Sequence, residues 1–123
     1  MMKRKTGKSA QAGTLYELQA EICSALANPV RLHILDLLSG GNKTSTDLLK
    51  DLEIPKANLS QHLAVLKDAG IIRARKEGQF QILSLSMTKI KDACSIVRAV
   101  LVERMANEER KNSELIKELR AQK

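Results

Sequence analysis

Between Leu59 and Leu85 the spacing of apolar residues changes its period once, and that change restricts what the chain can fold into. As far as Gly70 they return every three or four residues, so Leu59, Leu63 and Leu66 share one face of a helix. Beyond Ala69-Gly70 the period drops to two: Ile72 and Ala74 alternate with Arg73 and Arg75. The pattern predicts a helix over about residues 56–68, a strand over 71–76, a turn at Glu77-Gly78 and a returning strand over 79–85. A helix running straight into a short hairpin with a basic tip excludes plain bundles and plain sandwiches alike.

Upstream, the same reading gives three more helices. Leu15, Leu18, Ile22 and Leu26 make one stripe, which Asn28-Pro29 interrupts. Asn is a good helix N-cap and Pro fits the first helical position, so a second helix starts there, with Val30, Ile34, Leu37 and Leu38 inward. Gly40-Gly41 stops it. Thr44 and Asp47 have the spacing of a capping box, opening a short third helix with Leu48, Leu49 and Leu52 inside. Glu53-Ile54-Pro55 makes the turn into the fourth helix. After Thr88 a stripe of Ile90, Cys94, Val97, Leu101 and Met105 is followed by polar residues 107–112, then by Leu115, Ile116 and Leu119. One long helix and a break near Asn107 both fit. The expected organisation is a disordered basic arm over 1–13, a winged helix-turn-helix domain over 14–106 and a helical extension over 107–123.

Composition narrows the function classes. The 123 residues suffice for one domain. Only 2% are aromatic, so the core is aliphatic, marginal alone, and a dimer interface is expected. The net charge of +7 suits a phosphate-rich partner, though it also serves solubility. Two cysteines without a CxxC pair point to a reducing, cytoplasmic setting. The basic N-terminus lacks the apolar core of a signal peptide, and no run approaches the ~20 residues of a membrane span, so no membrane partner is expected. No Ser-His-Asp, Cys-His or phosphate-loop constellation is visible, so the chain is not expected to be an enzyme, and no cofactor is expected.

Short helix, tight turn, helix and basic hairpin make the layout of a winged helix-turn-helix. A helix held at an exposed angle fits the major groove of double-stranded DNA, and a hairpin beside it reaches phosphates or the minor groove. The outward face of the fourth helix carries Lys56, Asn58, Ser60, Gln61 and His62. Asn and Gln can pair with adenine, and Lys can reach guanine or phosphate.

Residues 26–35 (LANPVRLHIL), 59–72 (LSQHLAVLKDAGII) and 75–79 (RKEGQ) closely resemble the ArsR/SmtB family of repressors, over about Leu15 to Met105. The resemblance implies a homodimer, formed through the first and last helices, that binds palindromic operator DNA as a repressor. It implies DNA contacts from Lys56 to His62 and from a wing of Arg73, Arg75, Lys76 and Gln79. The family often has Ser before and within the first turn of the recognition helix; here Pro55 and Ala57 stand there, which alters the expected base preference.

The family's inducer sites do not carry over. The thiolate pair at the start of the third helix matches Thr44 and Thr46, and the zinc ligands of the last helix match Met87, Lys89, Val100 and Glu103, so no metal is expected. The persulfide-sensing cysteines match Asp36 and Val102. Cys23 and Cys94 remain as redox-sensing candidates, against the alternative that they are small buried core residues. His62 is open between a DNA contact and packing under its helix, and His33 is expected to be structural. A winged-helix protein-interaction module is the competing class, but it should lack the basic tip. The inducer stays unspecified, and activation stays open beside repression.

Overall fold

The structure, a computed structural model, describes residues 10–121. The basic arm expected over 1–13 therefore falls mostly outside the described residues, although helix α1 (Ala10–Leu26) already begins inside that span. The chain divides into two compact units after Thr88.

The first unit contains α1, α2 (Pro29–Ser39), β1 (Lys43–Thr44), α3 (Ser45–Leu52), α4 (Lys56–Asp68), β2 (Ile72–Glu77) and β3 (Phe80–Leu85). The local signals act as expected. Asn28 Oδ1 accepts the amide N–H groups of Val30 at 2.8 Å and Arg31 at 3.1 Å, with Pro29 opening α2. Thr44 Oγ1 accepts the Asp47 N–H at 3.0 Å and the Asp47 carboxylate accepts the Thr44 N–H at 3.4 Å, a reciprocal box that starts α3.

At the end of α4, Gly70 has φ +77°, and its N–H donates to Lys67 O while that of Ile71 donates to Leu66 O. This is the Schellman arrangement, and its two apolar partners, Leu66 and Ile71, are both fully buried. It turns the chain from helix to hairpin within three residues.

The sheet is three-stranded and antiparallel, ordered β1-β3-β2. β1 pairs Lys43 with Leu83 and Thr44 with Ile82; the sequence reading did not anticipate it, because two residues carry no visible period. The hairpin is displaced from its expected register by one residue. Glu77 pairs with Phe80, so the turn is Gly78-Gln79 rather than Glu77-Gly78. Gly78 takes φ +62° at the first loop position, which only glycine adopts without strain and which matches the twist of a two-residue hairpin.

The core gathers Ile34, Leu35 and Leu38 of α2, Leu48 of α3, Leu59, Leu63 and Leu66 of α4, and Ile71, Ile72 and Leu83 of the sheet. Ala74 shares the Ile72 face of β2 and pairs with the buried Leu83, but it is exposed on a strand that forms the edge of the sheet.

The second unit is α5 (Lys89–Ala121), one unbroken helix through the polar stretch at 107–112. Ile90, Cys94, Val97, Leu101, Met105, Ile116 and Leu119 fall within about 100° on its surface at 100° per residue. Of these, Ile90 is buried and Cys94 half-buried; Val97, Leu101, Met105, Ile116 and Leu119 are exposed.

Candidate nucleic-acid interface

The helix-turn-helix is built around a left-handed residue. α3 ends at Glu53, which has φ 54° and ψ 49° and donates its N–H to Leu49 O at 2.9 Å. That reversal sends the chain through Ile54 and Pro55 into α4, whose first turn has no side-chain cap. Pro55 and Ala57, where the resemblance suggests Ser, thus leave the amide N–H groups at this end uncapped by a side chain, where the positive end of the helix dipole suits an anion such as a phosphate.

Leu59, Leu63 and Leu66 anchor α4 from below, so Asn58, Ser60 and Gln61 stand exposed away from them, and Lys56 is exposed in the first turn. His62 differs. It is half-buried at the margin of this face, and its Nδ1 lies 3.2 Å from Nη1 of Arg31. A guanidinium can only donate, so this contact is a hydrogen bond in the tautomer whose ring proton is on Nε2, with Nδ1 accepting. Packing at the helix margin, one of the two roles open to His62, has a partner in Arg31.

The Arg31 guanidinium makes two further bonds, from Nε to Ala25 O at 2.7 Å and from Nη2 to Ser24 O at 3.3 Å. These carbonyls belong to the last turn of α1, which has no basic residue of its own. A cation from α2 thus satisfies the negative end of α1. The sequence reading assigned Arg31 no role; its place two residues after Pro29 was a usable signal, since it leaves a long cation facing the end of the preceding helix.

On the hairpin, Arg73, Arg75, Lys76 and Gln79 are all exposed. Gln79 lies in the loop, not in the returning strand. Alternation puts Arg73, Arg75 and Glu77 on one face of β2 and Lys76 on the other. Arg75 Nη2 is 3.0 Å from Glu77 Oε2, with both side chains more than half exposed. Such a pair is worth about 0–1 kcal/mol and opens readily.

The candidates for sensing are placed differently from their expectations. Cys23 is exposed and Cys94 half-buried, so neither is a buried core residue of the single chain. His33, expected to be structural, is exposed on α2. Thr44, at one thiolate-matching position, uses its hydroxyl in the α3 cap. Among the described residues no three His, Cys, Asp or Glu side chains gather where a metal ion could be held.

Helix, reversed turn, exposed second helix and projecting basic hairpin define a winged helix-turn-helix protein. Residues 28–74 match the family described as "Bacterial regulatory protein, arsR family". The chain is 39% identical over 88 residues to the uncharacterized HTH-type transcriptional regulator Rv0081 of Mycobacterium tuberculosis, covering 71% of this chain and 77% of that protein. The crystal structure of Rv0081 superposes with a TM-score of 0.71 at 36% identity, covering 76% of this chain and 95% of the other. The transcriptional repressor SdpR of Bacillus subtilis is 39% identical over 72 residues, 58% of this chain and 80% of that one. The homodimeric winged helix-turn-helix DNA-binding domain of Mb0332 from Mycobacterium bovis superposes with a TM-score of 0.73 at 28% identity, covering 84% of this chain and 95% of that one. The chain therefore belongs to the arsR family, whose members are regulators of transcription rather than enzymes. No described helix is long and apolar enough to cross a membrane.

Proposed function

We propose that this chain is a transcriptional repressor that binds a palindromic DNA operator as a homodimer. The observation that carries the reading is the joint exposure, in one compact unit, of the polar face of α4 and the basic wing, with the Gly70 turn holding one directly after the other. Lys56, Asn58, Ser60 and Gln61 meet base edges in the major groove, and Arg73, Arg75, Lys76 and Gln79 meet the sugar-phosphate backbone. The protein-interaction alternative is disfavoured because the wing keeps its cations.

Dimerisation is supported by apolar surface that the single chain leaves open. Leu15, Tyr16 and Leu18 of α1, and Ile96, Val97, Val100 and Met105 of α5, are each more than half exposed. Apolar surface on this scale marks an interaction site. The homodimeric relative from M. bovis and the repressor from B. subtilis point the same way. A two-fold dimer sets its recognition helices ~34–36 Å apart, one turn of DNA. Such a protein works in the cytoplasm, where its DNA is.

A thiol-responsive form of this function has one observation behind it, the exposure of the Cys23 thiol. A titration by fluorescence anisotropy against DNA upstream of the protein's own gene tests both readings. It is run reduced, then with a disulfide oxidant, then with zinc. Tight, salt-dependent binding supports the repressor, and loss of binding on oxidation that Cys23→Ser or Cys94→Ser prevents supports the thiol switch. No binding to any duplex refutes the repressor.

A further inference from the structure

We propose that Arg31 is a positioning residue for DNA recognition: through His62 it fixes the angle of α4 against the C-terminal end of α1. The inference deepens the function above and rests on α4 being the DNA-reading helix.

Three directional bonds meet on one guanidinium, two to the last-turn carbonyls of α1 and one to a side chain of α4 that is 31 residues away in sequence. The first two alone would make Arg31 a helix cap. The third is what reaches the reading helix. α4 otherwise rests on Leu59, Leu63 and Leu66, whose contacts are apolar and lack direction. Such a ridge resists lifting better than it resists rolling. His62 sits on the flank of the ridge, about 60° round the helix from Leu59 at 100° per residue, where a hydrogen bond opposes rolling most effectively.

The required accuracy is fine. Side-chain tips lie about 5–6 Å from the helix axis, so a roll of about 20° moves them by about 2 Å. A hydrogen bond to a base edge survives only a few tenths of an ångström beyond its ordinary length. Phosphate contacts made by the long cations of the wing tolerate such a roll. Loss of the Arg31–His62 bond should therefore weaken operator binding more than binding to random DNA.

The test uses the full chain with Arg31→Met, His62→Leu, the double variant and His62→Gln. Met keeps most of the arginine stem without donors, and Gln keeps an acceptor. Affinity is measured for the operator and for a random duplex at one salt concentration. Separately, ring-nitrogen NMR reads the His62 tautomer without DNA. We expect each of the first two variants to lose about tenfold for the operator with little change for random DNA. The double variant loses no more than the worse single, and His62→Gln stays within about threefold of the parent. The His62 proton sits on Nε2 in the parent and spreads over both nitrogens in Arg31→Met.

Losses that multiply in the double variant overturn the proposal. So do parallel losses on operator and random DNA, or a tautomer indifferent to Arg31→Met. If Arg31→Met does not fold, as judged by circular dichroism, His62→Leu against His62→Gln decides it, since only an acceptor at that position should keep operator affinity. If the parent chain binds no operator, the DNA-reading role of α4 falls and the positioning role with it, while the ring-nitrogen spectrum still reports the Arg31–His62 bond.

Discussion

The wing offers the sharpest quantitative test, because its cations lie on two faces of one strand. Arg73 points to the same side as Arg75 and Glu77, and Lys76 to the other. If the hairpin tip enters the minor groove, a phosphate strand flanks it on each side and both residues count. If the hairpin lies flat along one backbone, only one does. Each phosphate contact contributes about 0.9 to the slope of log affinity against log salt. The Arg73→Ala, Lys76→Ala double variant, present twice in a homodimer, should then flatten the slope by about 3.6.

Between 50 mM and 200 mM salt such a change shrinks the salt-induced loss of affinity by a factor of about 150. Arg75→Ala should weaken all DNA binding and flatten the slope by less than a full contact per subunit, because Arg75 is already paired with Glu77 at 3.0 Å and must open that pair first. The assay is anisotropy titration on random duplex over that salt range. A slope lowered by only one of the two single variants would place the hairpin flat on one backbone. An unchanged slope in the double variant would refute phosphate contact by the wing altogether.

Three further outcomes are expected. Gln61→Ala, at an exposed position of α4, should weaken operator binding by roughly 1–3 kcal/mol while random-DNA binding holds; unchanged operator affinity would remove it from the reading face. Gly70→Ala should cost about 1–2 kcal/mol in denaturant unfolding. No atom lies within 4 Å of the added Cβ, so the cost is purely that of φ +77°, and an unaffected midpoint would contradict this backbone geometry. Leu101→Glu, in the exposed stripe of α5, should raise the dimer dissociation constant at least tenfold by sedimentation, and an unchanged constant would exclude that stripe from the dimer interface.

Much of this architecture is legible in the residues because it rests on local physics. Asn28-Pro29, Thr44 with Asp47, and Ala69-Gly70 each mark a helix end whose hydrogen bonds close within a few residues, so their positions can be found without knowing the fold. The leucines of α4 set its buried side by period alone, and with it the exposed side that meets DNA in the proposed function. The hairpin itself was legible but its register was not, because Glu77-Gly78 and Gly78-Gln79 both supply a turn glycine and only cross-strand pairing chooses between them.

What the tertiary structure alone decided are the contacts between residues distant in sequence. β1 exists only because β3 presents an edge to Lys43 and Thr44. The reversal at Glu53 uses a residue with no preference for positive φ, so packing of α3 and α4, not local propensity, holds it there. Cys23 lies on an apolar-looking helix face that the single chain leaves open, so periodicity assigns a side but cannot say what covers it. The meeting of Arg31 with His62 and the end of α1 belongs to the same class. Period, cap and turn are properties of a few neighbouring residues, whereas a guanidinium shared by three helices exists only once all three are in place.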